Sequence, residues 1–449
     1  MGALVAYFVL IFIEGKDFSV IVNLMFSINE DFVNLHSLIL IISMMIIVQI
    51  SHEAGLFQFI AIYLIKLSKA KPILLMIILC CVTVLISAIL NNILAVIILI
   101  PLTITISRIL NINPTPYILT QSILVNIGGT MFSISSIPNI LITTYAKISF
   151  LDFLLNVGLL SFIVFLFTIF FFIIIYKKEL TFPEGGMNVL KEYNIWNVVQ
   201  SRRLLYLSMF SLFSLFILFI AIPPSLLPPD IIALTIGVIL IILSKLEPKE
   251  IISKIDIELI LYLIGIFILA GSLELLGVLD IIGTFISNIG GGDTYILLIL
   301  VLWISAFLSS SIDNIPITKV LIPIIGEMPG ITSEVIKKQL FYSLSIGANW
   351  GDNLTPLGDN ILVINLAEQN KRPISFMQFL KLGFITTIYQ LTIITIYFTL
   401  ILRLILGLIL LFSIIIVILV LLLTIKFGPN KIRLSINNLI STIRNFITR

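Results

Sequence analysis

Charge is the scarcest property of this 449-residue sequence: Asp, Glu, Lys and Arg together make up 11% of it. A soluble protein of this length carries about 25%, because it needs polar surface to cover its interior. The shortage excludes a cytosolic enzyme, a nucleic-acid-binding domain and a disordered chain. The net charge of +3, from 26 Lys+Arg against 23 Asp+Glu, is too small to draw a polyanion. The two cysteines, Cys80 and Cys81, are adjacent and offer neither a disulfide framework nor a CxxC pair. The two histidines, His36 and His52, cannot build a His-rich metal site. No Walker A sequence occurs, so the chain has no ATPase of its own; an ATPase on a separate subunit stays open. HExxH, GxSxG and a GxGxxG in a Rossmann context are missing as well. What is present is 59% hydrophobic residues and a mean hydropathy of +1.22. The solvent of this chain is a lipid bilayer.

A spanning helix needs about 20 mostly apolar residues. The apolar runs here are long and continuous, whereas barrel strands alternate. The first run, 2–13, is short and meets Glu14-Gly15-Lys16-Asp17. It lacks a basic leading segment, so a marginal first span fits better than a cleaved signal peptide. Two paired runs, 72–110 and 294–327, carry polar residues at their centres, around Asn91-Asn92 and Asp313-Asn314. They read as re-entrant helical hairpins whose polar tips reach mid-membrane. Two others, 117–146 and 336–367, are interrupted by Gly128-Gly129-Thr130 with Pro138, and by Gly351-Asp352-Asn353 with Pro356 and Gly358. They read as single spans unwound in the middle, over 126–139 and 349–360. Backbone of this kind is tolerated at depth only where protein or water surrounds it.

Charge orients the layout. With the N-terminus inside, Lys66, Lys69, Lys71, Lys177, Lys178, Arg202, Arg203, Lys245, Lys249 and Lys254 all fall inside, and 272–293, which has no Lys or Arg, falls outside. That agrees with the positive-inside rule; Lys337 and Lys338 are exceptions. The sum is ten spans and two hairpins in a multi-pass protein of the cell membrane, with both termini cytoplasmic. The tail over 431–449 reads as an amphipathic helix on the cytoplasmic surface.

The halves resemble each other. At an offset of 222, Ser87 falls on Ser309, Asn91 on Asp313, Asn92 on Asn314 and Pro101 on Pro323. Glu53 meets Glu274, Gly128 meets Gly351, and Ile148-Ser149-Phe150 meets Ile374-Ser375-Phe376 at offsets of 221, 223 and 226. Polar matches in a fixed order are hard to obtain by chance. By the charge argument the copies face opposite ways. The expected fold is an all-α polytopic membrane protein with inverted structural repeats, two re-entrant hairpins and two broken transmembrane helices. Its parts are an N-terminal span and outer loop (1–33), a first repeat (34–176), a cytoplasmic linker with two connecting spans (177–255), a second repeat (256–402), and a C-terminal span with a basic tail (403–449). Inverted repeats with broken helices at the midplane are an architecture of secondary transporters.

Four polar breaks then converge. Freed N–H groups and half-helix N-termini suit an anion, and carbonyls and carboxylates suit a cation. The candidate substrate- and ion-binding residues are Asn91 and Asn92 at the first tip and Gly128, Gly129, Thr130, Ser135, Ser136 and Asn139 in the first break. In the second half they are Asp313 and Asn314 at the tip and Asp352, Asn353, Thr355, Gly358, Asp359 and Asn360 in the break. A carboxylate at mid-membrane costs about 2.5–3.5 kcal/mol on insertion scales, so Asp313, Asp352 and Asp359 need a partner or a task. Lys319 offers Asp313 a structural partner. The functional reading is exchange of H⁺ or Na⁺, with Na⁺ held at these three carboxylates. No other metal and no cofactor is expected. Glu53 and Glu274, near helix ends, read as interfacial, and Cys80 and Cys81 as packing residues.

At these residues the chain resembles the ion transporter superfamily, in the branch of arsenite permeases, sodium–proton antiporters and the P protein, often labelled citrate-transporter-like. The likeness spans about residues 34–385. It is carried by Ser87-Ala88-Ile89-Leu90-Asn91-Asn92, Asn126-Ile127-Gly128-Gly129-Thr130, Pro138-Asn139-Ile140-Leu141-Ile142, Ser311-Ile312-Asp313-Asn314-Ile315-Pro316 and Leu354-Thr355-Pro356-Leu357-Gly358. The resemblance implies a scaffold and a transport domain, a solute held between hairpin tips and unwound helices, and homodimers. The chain departs from the family pattern where Asn91 replaces an acid and where Ser135-Ser136-Ile137-Pro138-Asn139 replaces Gly-Asp-Pro-Pro-Asn. Coupling is therefore expected to rest on the second half. The expected function is secondary active transport of a small anion or oxyanion, coupled to H⁺ or Na⁺, with arsenite the first guess by analogy. The alternatives are Na⁺/H⁺ antiport and di- or tricarboxylate transport. More remote are an intramembrane enzyme, against which both histidines lie outside the four breaks, and a channel.

Overall fold

A lipid-facing chain has no water to satisfy its backbone, and a helix does so within one segment. The computed structural model is helical throughout, with no strand among the described residues. Those residues are 2–28, 33–68, 71–180, 194–358 and 360–427, with 438, 441, 442 and 446 beyond them. The chain is an all-α polytopic membrane protein. Its N-terminal run is two short helices, α1 (Gly2–Ile13) and α2 (Phe18–Phe26), rather than one span. Gly15, at φ +63°, sits in the turn between them.

Seven helices follow: α3 (Val33–Glu53), α4 (Leu56–Lys66), α5 (Pro72–Ser87), α6 (Asn92–Leu110), α7 (Thr115–Gly128), α8 (Ile137–Tyr145) and α9 (Phe150–Tyr176). Three connect the halves: α10 (Arg202–Ala221), α11 (Pro229–Ser244) and α12 (Pro248–Ser253). Then the same order returns as α13 (Ile257–Leu275), α14 (Val278–Gly290), α15 (Thr294–Ser309), α16 (Asn314–Gly326), α17 (Glu334–Gly351), α18 (Asn360–Gln369) and α19 (Phe376–Leu402), before α20 (Leu404–Phe427). Each helix of the first set has its counterpart ten places on. Of the described helices, α3, α6, α9, α10, α13 and α19 are both long and apolar enough to cross a bilayer.

Polar punctuation sets the boundaries. Pro72 stands in the first turn of α5 and Pro138 in that of α8, where proline costs no hydrogen bond. Asn91 caps α6 by accepting from Leu94 N at 2.8 Å, and Ser375 and Gln378 form a capping box on α19.

Direction is fixed by contacts at both ends of α3. Glu53, at its end, meets Lys254, just ahead of α13, at 2.7 Å. Hydrogen bonds from Lys254 to Glu53 and Glu250 hold its ammonium above the usual lysine range. Asn34, near the start of α3, donates to Leu24 O at 2.8 Å, and Leu24 packs on Gly271 near the end of α13. The helices that open the two halves therefore run in opposite directions.

Helix α3 also packs along α11, where His36 Nδ1 lies 2.8 Å from Asp230 Oδ2. Asp230 is 2% exposed, so losing its partner strands a buried carboxylate. His36→Ala is expected to destabilise the protein by about 1–3 kcal/mol, read as a lowered unfolding temperature in detergent, with Asp230→Asn in the His36→Ala background recovering part of the loss.

In the linker over 177–203, residues 181–193 lie outside the described set. The remainder includes a short turn, Ile195–Val198, whose Trp196 packs 5.1 Å from Phe59 under the Arg202 guanidinium. The amphipathic helix expected over 431–449 falls almost wholly outside the described residues.

Candidate functional site

Both expected hairpins are pairs of packed helices, α5 with α6 and α15 with α16. The helix ends close over the breaks more than the glycines and prolines suggest. In the first half only residues 129–136 leave the helix, so Asn126 and Asn139 stay helical. In the second, a 3₁₀ turn (Asp352–Leu354) continues α17, and Asn360 already belongs to α18.

Hydrogen bonds around these breaks recur from one half to the other. Ser87 Oγ donates to Val125 O at 2.5 Å, and Ser309 Oγ to Ala348 O at 2.6 Å. Ser135 Oγ donates to Ala88 O at 2.5 Å, and Thr355 Oγ1 to Ser310 O at 2.6 Å. Asn139 Nδ2 reaches Gly129 O at 2.8 Å, and Asn360 Nδ2 reaches Asp352 O at 3.0 Å. Other bonds cross between halves, among them Ser122 to Asn360 Oδ1 at 2.8 Å and Ser345 to Asn139 Oδ1 at 2.7 Å. Hydroxyls and amides thus fasten each tip to its own broken helix and the two broken helices to each other. In an apolar medium such bonds fix geometry because few alternatives compete.

The deepest part is a chain of amides. Asn92 Nδ2 donates to Asn126 Oδ1 at 2.6 Å, and Asn126 Nδ2 donates to Asn353 Oδ1 at 2.7 Å and faces Asp352 Oδ2 at 3.4 Å. Asp352 is 2% exposed and also faces Asn360 Nδ2 at 3.4 Å. Thr130 receives Trp350 Nε1 at 2.9 Å and Ser161 Oγ at 3.1 Å.

Next to this network lies a cavity of about 280 Å³. Of the residues singled out from sequence, Asn91, Asn92, Ser136, Asp313 and Asn314 line it. Both tips and the start of α8 therefore meet in one space. Its remaining wall is the opening of α13, with Asp256, Glu258 and Tyr262. Tyr262 OH donates to Asp313 Oδ2 at 3.3 Å, and Asp256 caps Leu259 N at 2.9 Å. Among the described residues, three carboxylates and no Lys or Arg line this cavity.

The other sequence candidates stand elsewhere. Ser135 borders a smaller neighbouring space with Asn91. Gly128, Gly129, Thr130, Asn139, Asp352, Asn353, Thr355 and Asn360 form the network behind the cavity, and Gly358 takes a turn at φ +61° over the Asp352 carboxylate. Asp359 lies outside the described residues. Lys319 donates to Asn34 Oδ1 at 2.7 Å and lies 4.9 Å over the Phe267 ring, while Asp313 has Tyr262; the Lys319–Asp313 pair expected from sequence gives way to these contacts. Sequence reasoning missed Asp256, Glu258 and Tyr262, since a charged helix start reads as an ordinary cap. Asn126 stood in the motif that carries the resemblance but not among the candidate residues, although its place four residues before Thr130 on the same face was an available signal.

Comparison with known proteins bears on this geometry. The profile of the family described as Citrate transporter matches residues 2–347, and again 216–439. The chain belongs to the citrate transporter family. Among its relatives are a 46 kDa membrane protein of Mycobacterium leprae, 29% identical over 80% of this chain and 84% of the relative, and an uncharacterized transporter of Mycobacterium tuberculosis with the same identity and coverage. The human P protein is 24% identical over 81% of this chain and 53% of its own length. The family is described as one of transporters and the Mycobacterium tuberculosis relative is named as one, and this member is a multi-pass membrane transporter. The resemblance to the citrate-transporter-like branch read from the tips and breaks agrees with this membership.

Proposed function

We propose that this transporter moves a small carboxylate or oxyanion across the cell membrane by alternating access, driven by a gradient of H⁺ or Na⁺. The observation that carries the reading is the cavity where both tips meet the start of α8, beside a wall of Asp256, Glu258 and Asp313. Opposed helix directions and the recurrence of the same bonds support an inverted repeat with two re-entrant hairpins. Glu53 with Lys254, Arg108 with Asn370 O, Asp152 with Lys338, and Asp293 with Arg403 each join residues that the charge layout puts on one face; cytoplasmic termini belong to that same layout.

The family's description favours citrate or a related carboxylate over arsenite. Cys80 is buried, Cys81 is exposed, and neither lines the cavity, so arsenite would find no thiolate there. Three carboxylates repel a free multiply charged anion. The solute is therefore taken up with protons or sodium ions that neutralise it, and this is the physical basis of the coupling. The same carboxylate-only lining favours a second reading, Na⁺/H⁺ antiport without an organic solute. Homodimers remain part of the proposal through the family resemblance.

Reconstitution into liposomes with imposed H⁺ or Na⁺ gradients tests both. We expect concentrative uptake of one of citrate, succinate or arsenite under one gradient and none without it. Proton release driven by sodium alone supports antiport. Solute flux that ignores both gradients overturns the coupled reading.

A further inference from the structure

The largest cavity described, about 510 Å³, is separate from the one at the tips. It lies against the start of α3 (Val33, His36, Leu40), the end of α8 (Thr143, Thr144) and the α10–α11 connection with Ser225 and Asp230. Between the two cavities sits a far smaller space, about 30 Å³. It shares Asn91, Ser136, Ile137 and Leu259 with the tip cavity and Ile134 with the large one. Its wall on α3 is Ile41, Met44, Met45 and Val48. Residues 33, 36, 40, 44 and 48 recur at helical spacing, so one stripe of α3, about 22 Å long, borders the large cavity and then the small one.

The two halves break symmetry at this seam. Helix α3 packs against α8, whereas their counterparts α13 and α18 make no comparable contact, and the tip cavity opens along the start of α13. A closed seam between α3 and α8 and a parted one between α13 and α18 are what alternating access requires of two related gates.

We propose that the α3–α8 seam is the second gate of the transport route and that the 510 Å³ cavity is its vestibule, receiving the anionic solute on the face that bears His36. This rests on the transport reading above. Met44, Met45, Ile134 and Ile137 are the apolar plug, and so small a space among such side chains excludes a carboxylate until α3 and α8 part. Among the described residues, the charged groups on the vestibule wall are Lys147, His36 and Asp230, against the three carboxylates and no Lys or Arg of the tip cavity. An anion is better accommodated at the first than at the second, so it arrives without its counter-ions and acquires them deeper in.

The test uses full-length transporter in liposomes, in a Cys80→Ala, Cys81→Ala background carrying Thr144→Cys, Ser225→Cys or Met45→Cys. Membrane-impermeant methanethiosulfonates, one anionic and one cationic, are added to each face in turn. At Thr144→Cys and Ser225→Cys we expect reaction from the His36 face, faster with the anionic reagent by about three- to tenfold, slowed by the transported solute, and followed by loss of flux. Met45→Cys should react from that face at least about tenfold faster during gradient-driven turnover than at rest. Modification from the opposite face, modification that leaves flux intact, or an unchanging Met45→Cys rate overturns the gate. Flux of the unmodified variants reports on the transport reading separately: should it ignore both gradients, that reading fails, while accessibility still decides where the route runs.

Discussion

Asp313→Asn is expected to lower gradient-driven uptake by about ten- to a hundredfold, because a hydrogen bond to a charged group is worth about 1.5–3 kcal/mol and the amide keeps shape but loses the charge. The side chain sits at the second tip, accepts from Tyr262 OH at 3.3 Å and borders the cavity shared with the first tip. The first tip presents Asn91 at the same place, with its side chain committed to capping α6. The halves are therefore chemically unequal where they are geometrically alike, and the second presents a carboxylate where the first presents an amide. Tyr262→Phe removes the donor and keeps the carboxylate, so a smaller loss, about threefold to tenfold, is expected. Uptake measured against the H⁺ and the Na⁺ gradient in turn separates the ion from the solute. Asp313→Asn with coupling intact would place the ion elsewhere, and Asp352 becomes the next candidate.

Much of this is legible in the sequence. Hydropathy gave the bilayer, and the paired polar residues at 91–92 and 313–314 gave the helix-break-helix units, because isolated amides and acids in long apolar runs have few other uses. The matches Ser87 with Ser309 and Gly128 with Gly351 pointed to what the structure makes explicit: both serines donate to a carbonyl of the neighbouring broken helix. Less legible was how far helices persist through a glycine. Asp352 reads as part of an unwound segment, yet a 3₁₀ turn carries the backbone on, since tightening a helix end satisfies the same carbonyls that unwinding would release. Nor could spacing reveal that Asp256 and Glu258 wall the cavity. Which surface a helix start faces depends on the packing of α1 and α2 against α13, and no local pattern encodes that.

A large effect on folding should come from the two glycines at the ends of the broken helices' first halves. A Cβ on Gly128 would lie 2.7 Å from Val84 O and 2.8 Å from Ser87 Cβ, and one on Gly351 would press on the Ala306 backbone. Backbone cannot rotate aside as a side chain can, so α5 or α15 must shift, and overpacking of this kind costs about 1–3 kcal/mol. Gly351→Ala should sit at the top of that range, since α15 and α17 are the more closely joined pair and Ser309 is bonded to Ala348 O in the same crossing. Alanine exceeds glycine in helix propensity by about 1 kcal/mol, which works against the loss and makes the direction informative. Gly283→Ala in α14 is the control: its Cβ would meet only Ile324, at an ordinary 3.6 Å, so stability there should hold or rise. Unfolding temperatures of the three variants in detergent decide the matter. If Gly351→Ala and Gly283→Ala shift alike, close approach of the hairpin to the broken helix is not what positions the tip, and the cavity must owe its shape to the amide network instead.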